Sequence, residues 1–129
     1  LRLEIVKLHK EVTSIGNRAF WGCVNLKEIN LHESSVETID ERAFSESFVL
    51  EGVKFPPSLK TINSLAFDCC ESLIVINFSA CSLLEEIGIC AFSACPSLLA
   101  VYFPNALQRI GHHAFVNCHS LISAELTST

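Results

Sequence analysis

Apolar side chains return along this chain with a period in the low twenties. The clearest block is Ile-x-x-x-Ala-Phe, which occurs at Ile15–Phe20, Ile39–Phe44, Ile62–Phe67, Ile87–Phe92 and Ile110–Phe115. The steps from Phe to Phe are 24, 23, 25 and 23 residues. Counting forward from each Phe, the third residue is Cys23, Ser47, Cys70, Cys95 or Cys118, and the sixth is Leu26, Leu50, Leu73, Leu98 or Leu121. The ninth is Ile29, Val53, Ile76, Val101 or Ala124, and the eleventh is Leu31, Phe55, Phe78, Phe103 or Leu126. Eight residues before each Phe stand Val12, Val36, Leu59, Leu84 and Leu107. Fixed apolar positions at such a period mark a solenoid, because one unit cannot bury its own Phe and Leu whereas stacked units cover one another.

The alternation at the ninth and eleventh positions predicts a short strand with one buried face, its intervening residues pointing outward. The block from Val36 to Ile39, with its equivalents, is too short for a helix of ordinary length and reads as a second short strand or extended bend. Ala-Phe-x-x-Cys reads as a tight turn or a single helical turn, with Ala where backbones crowd and Phe filling the space between rungs. The expected fold is a repeat solenoid of leucine-rich-repeat type, mostly short parallel β-strands, forming one domain over residues 1–129. Six strand rungs would span about 25–30 Å. Residues 3–8 take the place of a first strand and Leu121–Leu126 of a last one, so five full repeats carry a partial repeat at each end. With no Met and no polar cap, the chain is expected to be a segment of a longer protein.

The five Ile-x-x-x-Ala-Phe blocks, the four cysteines three residues on and the following Leu-x-x-Ile-x-Leu strands resemble the BspA-like leucine-rich repeats, the type 5 class, over essentially the whole chain. The chain departs from that pattern at Ser47, and at His9, His32 and Ser79, where Pro56 and Pro104 represent the usual residue after the strand. It also lacks the Asn or Cys after the strand that builds the asparagine ladder of ordinary leucine-rich repeats. The resemblance implies protein–protein interaction or adhesion through one face of the array, often at a cell surface; it names no ligand.

The loop after each long strand varies in length. Its longest form, Ser79 to Leu83, accounts for the 25-residue step. These loops should line one edge, and Pro56-Pro57 and Pro104 end strands without disturbing pairing. Trp21, one residue after Phe20, should face solvent, as a contact residue or as a ring lying over a neighbouring rung. Phe48 should be partly exposed, over the loop edge.

Charge narrows the partners. Asp and Glu number 14 against 9 Lys and Arg, a net charge of −5, which argues against nonspecific nucleic-acid binding. The longest apolar run, Leu98–Phe103, falls far short of the ~20 residues of a membrane span. Leu1–Lys10 does not read as a signal peptide.

Seven cysteines invite a metal or disulfide reading. Stacking would set Cys70, Cys95 and Cys118 in a column at about 4.8 Å per rung, within disulfide reach, but parallel side chains suit the required dihedral poorly. We read them as packed, reduced thiols, with Ser47 showing that a small side chain suffices. No Cys-x-x-Cys occurs, and the count is odd. His112, His113 and His119 lie near Cys118, but on outward positions that do not converge. Gly-rich phosphate loops, Gly-x-Ser-x-Gly and His-Glu-x-x-His are absent. The chain is therefore read as a non-enzyme with no cofactor and no metal.

Function is left to the outward positions. One row runs Ile5, Glu28, Gly52, Val75, Ala100, Ser123, and another Lys7, Asn30, Lys54, Asn77, Tyr102, Glu125. The residues preceding the first row are Glu4, Lys27, Glu51, Ile74, Leu99 and Ile122. Early rungs are charged and late rungs apolar, so Ile74, Val75, Leu99, Ala100, Tyr102 and Ile122 are the candidate binding face for a protein partner. Two other readings compete: cover by neighbouring sequence, or deeper burial of the strand. A structural spacer is the alternative function, and a metal-binding or enzymatic module around residues 112–119 a third.

Overall fold

The computed structural model describes residues 4–126. Strands run in the order β1 (Ile5–Lys7), β2 (Ser14–Ile15), β3 (Glu28–Asn30), β4 (Thr38–Ile39), β5 (Gly52–Lys54), β6 (Thr61–Ile62), β7 (Val75–Asn77), β8 (Glu86–Ile87), β9 (Ala100–Phe103), β10 (Arg109–Ile110) and β11 (Ser123–Leu126). All pairing is parallel, and no helix occurs among the described residues. The odd-numbered strands form two sheets, β1-β3-β5 and β7-β9-β11, and the even-numbered ones a continuous sheet of five. The short return block is thus a two-residue strand, and Ala-Phe-x-x-Cys is a chain of turns rather than a helical turn. The first strand is shorter than residues 3–8. Leu3 lies outside the described residues, as does the side chain of Leu126.

Phenylalanine forms the axis of the core. The rings of Phe20, Phe44, Phe67, Phe92 and Phe115 stack at 5.1, 4.9, 4.9 and 5.3 Å between centroids, with planes within 5° of parallel. Phe55, Phe78 and Phe103 meet the stack edge-on, against Phe67, Phe92 and Phe115, an arrangement the ring quadrupole favours. Phe44, Phe67, Phe78 and Phe92 are completely buried, whereas Phe20 and Phe115, covered on one side, and Phe103 are half-buried. Each fully buried Phe or Leu contributes roughly 1.5–3 kcal/mol, and the invariant positions are explained by that burial alone.

The turns close their own hydrogen bonds in an alternating pattern. In the second repeat the N–H groups of Arg42, Phe44 and Glu46 donate to Ser64, Ala66 and Asp68 of the next rung, and those of Ala43, Ser45 and Ser47 donate three residues back within the turn. The left-handed residues stand at the first and last of these three axial donors, with the Phe between them in ordinary backbone. Arg18, Arg42, Leu65, Cys90 and His113, and then Gly22, Glu46, Cys69, Ala94 and Asn117, hold φ between 53° and 64°. These ten left-handed positions carry one glycine and no β-branched residue, the class for which that region is most strained.

The Cys column stands as the spacing predicts, with an added role. The Sγ atoms of Cys70, Cys95 and Cys118 lie 3.2, 3.3 and 3.1 Å from the carbonyl oxygens of Phe44, Phe67 and Phe92, and Ser47 Oγ lies 2.8 Å from that of Phe20. Each small side chain therefore donates to the Phe carbonyl of the preceding rung as well as filling space.

Candidate interaction face

The residues singled out by the outward pattern are brought together. Ile74, Leu99 and Ile122 follow one another on successive rungs, with N–H of Leu99 donating to the carbonyl of Ile74 at 2.8 Å and N–H of Ile122 to that of Leu99 at 3.0 Å. The same hydrogen-bonded column continues back through Glu51, Lys27 and Glu4. It is therefore one physical row of six, charged over three rungs and apolar over the next three. Val75 is in register with Ala100, Asn77 with Tyr102, and Tyr102 with Glu125.

All three apolar members of the row are exposed, Ile122 to 84%. Val75 is exposed as well, and Ala100 and Tyr102 are half-buried between the exposed flanks. Their alternate neighbours Ile76 and Val101 point inward and are fully buried. Two-residue periodicity thus separates core from surface on each strand. The deeper burial that competed with this reading applies to Ala100 and Tyr102 only.

A groove of about 460 Å3 runs over the earlier rungs between Lys7, Glu28, Asn30 and Lys54 and reaches Val75. Its floor passes over Gly52, where a Cβ would meet nothing within 4 Å. The ion pair Lys7–Glu33, 3.1 Å, lies at its far end, and holds the Glu33 carboxyl below the usual range. Lys27 and Lys54 make no ion pair among the described residues.

A larger depression, about 780 Å3, lies on the opposite side along β8 and β10. Gly88 and Gly111 form it, for each lies so close to the preceding rung that a Cβ would stand 2.7 or 2.5 Å from its backbone. It carries the exposed pair Arg109–Glu86 at 2.8 Å. Its exposed Ile110 belongs to the inward Ile column, where the last rung has a neighbour on one side only. Close backbone approach thus marks that trough, whereas the Ile74–Leu99–Ile122 row stands exposed just before β7, β9 and β11. Sequence reasoning missed it because Gly88 and Gly111 align with Gly16, Asp40 and Asn63, and the position looks permissive.

Trp21 and Phe48 are exposed at the turn edge, Phe48 in a shallow depression with Cys69, Ala94 and Pro96. Among the described residues no three His, Cys, Asp or Glu side chains are placed to hold a metal ion. The rings of His112 and His113 are 6.5 Å apart. All seven cysteines are free thiols. Burial pushes Cys81 up to about 12, and burial with neighbouring Asp68 pushes Cys69 up to about 11. Burial raises Cys70 further, and Cys95 is raised by Cys118 beside it and by burial. Among the described residues no helix is long and apolar enough to cross a membrane.

Solved structures share this architecture. The leucine-rich repeat protein TpLRR of T. pallidum superimposes with a TM-score of 0.87 at 33% identity, over 94% of this chain and 57% of that one. A leucine-rich repeat protein of Bacteroides ovatus gives 0.85 at 32% identity, over 94% and 33%. A leucine-rich cell surface protein of Faecalibacterium prausnitzii gives 0.84 over 99% and 33%, and at 23% identity shows the fold alone. The chain thus spans between a third and somewhat over half of these proteins. No curated protein matches it. The BspA type leucine-rich repeat region matches residues 2–128 as six copies, and with the repeat register and the solenoid already in place, the chain belongs to the BspA-type leucine-rich repeat family.

Proposed function

We propose that residues 1–129 act as one repeat-built module for protein–protein interaction or adhesion, and that its partner docks on the outward face of β7, β9 and β11 around Ile74, Val75, Leu99, Ala100, Tyr102 and Ile122. The observation that carries this is the change of character within one row. Glu4, Lys27 and Glu51 show that the fold accepts charge at this position. Ile74, Leu99 and Ile122 stand in the same row, hydrogen-bonded in the same way and exposed, so burial in the core does not account for their being apolar. Contiguous exposed apolar surface of this kind commonly marks an interaction site, and Tyr102 at its centre is a favoured interface residue. Membership of an interaction-type repeat family agrees with the reading. Replacing Leu99 and Tyr102 with Glu should abolish capture of a partner by the immobilised protein while its circular dichroism stays unchanged. Undiminished capture by the folded double variant would move the binding site elsewhere.

A further inference from the structure

Of the seven asparagines in the chain, Asn77 alone is followed two residues on by Ser or Thr, as Asn77-Phe78-Ser79. Asn-x-Ser with x other than Pro is the acceptor pattern of N-linked glycosylation, a modification of surface residues. The fold presents these three residues accordingly. Asn77 closes β7, and the two-residue period turns Asn77 and Ser79 outward, both exposed. Phe78 between them is fully buried against Phe55 and Phe92. The backbone N–H of Ser79 donates to Asn77 Oδ1 at 2.9 Å. That bond fixes the carboxamide and leaves its Nδ2 without a hydrogen-bond partner among the described residues. The Ser79 hydroxyl is equally unbonded among them, whereas the hydroxyls of Ser34, Ser58 and Ser72 are tied to backbone carbonyls. Asn77 pairs with Tyr102 on one side, and no strand ladder joins β7 to β5 on the other.

We propose that Asn77 is the acceptor of an N-linked oligosaccharide. In the transfer, Nδ2 of Asn77 attacks the anomeric carbon of a polyprenyl-diphosphate-linked oligosaccharide. The N–C bond forms as the C–O bond to the diphosphate breaks. The polyprenyl diphosphate leaves with that electron pair, and the amide nitrogen gives up one proton to the transferase. Other asparagines show what sets Asn77 apart. Asn30 holds the same position in its rung and the same turn, with N–H of His32 on its Oδ1 at 2.9 Å, but His32 offers no hydroxyl. Asn63 has its Nδ2 on Asp40 Oδ1 at 3.2 Å, and Leu65 stands two residues on. A glycan is bulky and solubilising. On Asn77 it would stand at the loop end of β7, about 10 Å along the strand from Ile74. It would border the Ile74–Leu99–Ile122 row without lying in it, so the site does not depend on what that row docks.

Mass spectrometry of the protein isolated from the cells that make it tests this on the peptide containing Asn77. That peptide should carry an oligosaccharide, and release by peptide N-glycosidase in heavy-oxygen water should leave a labelled Asp in place of the modified Asn. A bare Asn77, or a glycan on another asparagine instead, would overturn the assignment. Two variants made in the same cells separate the turn from the hydroxyl. Ser79→Ala keeps the backbone N–H that bonds Asn77, so its circular dichroism should be unchanged while the glycan is lost. A glycan that persists on this folded variant would contradict the part given to the hydroxyl. His32→Ser gives Asn30 the hydroxyl it lacks and should add a second glycan there. A folded His32→Ser protein with Asn30 bare would contradict the part given to the turn.

Discussion

At the scale of single residues, the repeat tolerates one substitution in its Cys column because Ser47 makes the same bond that Cys70, Cys95 and Cys118 make to the Phe carbonyl one rung back. Cys95→Ser, which keeps a donor for the Phe67 carbonyl, should therefore cost less than Cys95→Val, which leaves that carbonyl only the N–H of Cys70 and should cost about 0.5–1.5 kcal/mol more; urea titration separates the two. The column was legible as small and buried. Its donor role was not, because a thiol and a hydroxyl share a size class as well as a proton. The buried thiols also set an alkaline limit. Cys81 keeps its proton in the folded chain up to about 12, while the unfolded thiol loses it near 9.0. The unfolded state then binds fewer protons, so stability is whole below pH 9 and falls as pH rises toward 12, by up to about 1.4 kcal/mol per pH unit from this group. Thermal melts from pH 8 to 10.5 should show the decline, and Cys81→Ser should make it shallower. Glycine gives a sharper contrast. At one repeat position Gly88 faces backbone at 2.7 Å and Gly16 faces nothing within 4 Å. Gly88→Ala should destabilise by about 1–3 kcal/mol through overpacking, and Gly16→Ala should be neutral or stabilising by up to about 1 kcal/mol. Equal effects on the melting temperature would contradict the difference in rung approach.

At the scale of elements, strands and return blocks could be read from periodicity because a solenoid repeats its burial pattern with every rung. The turns were legible only as turns. Their ten left-handed residues left a negative signal, the absence of Val, Ile and Thr from two aligned columns, and among them only Gly22 is glycine. Glu46, exposed with φ 59°, is the cleanest place to test this. Glu46→Val should lose about 1–2 kcal/mol relative to Glu46→Gly, since L-residues resist this region and glycine does not. The Phe stack contributes more to stability than any turn. Phe67, fully buried between Phe44 and Phe92, should cost about 3–5 kcal/mol as Phe67→Ala. Phe20, covered on one side, should cost distinctly less. Denaturation midpoints of the two variants measure that ratio directly.

At the scale of the whole molecule, one period decides both what is hidden and what is shown. Ile76 and Val101 are buried by the alternation that exposes Val75 and turns Ala100 and Tyr102 outward, while Ile74 and Leu99 stand just before their strands, so a core-forming pattern defined part of the candidate face. Ile122, Leu99 and Ile74 could be aligned from sequence because every rung has the same register at that point. The groove over Gly52 could not, since it depends on which rungs lie side by side in space. The opposite sheet provides the control surface. Its row Ser14, Thr38, Thr61, Glu86, Arg109 is polar from end to end. Site-specific photocrosslinking in the native setting compares the two faces in one experiment, with the photoreactive side chain at Leu99 or at Thr61. A discrete protein adduct from Leu99 and none from Thr61 is the expected outcome; adducts from Thr61 alone, or equally from both, would show that the apolar row is not where the partner docks.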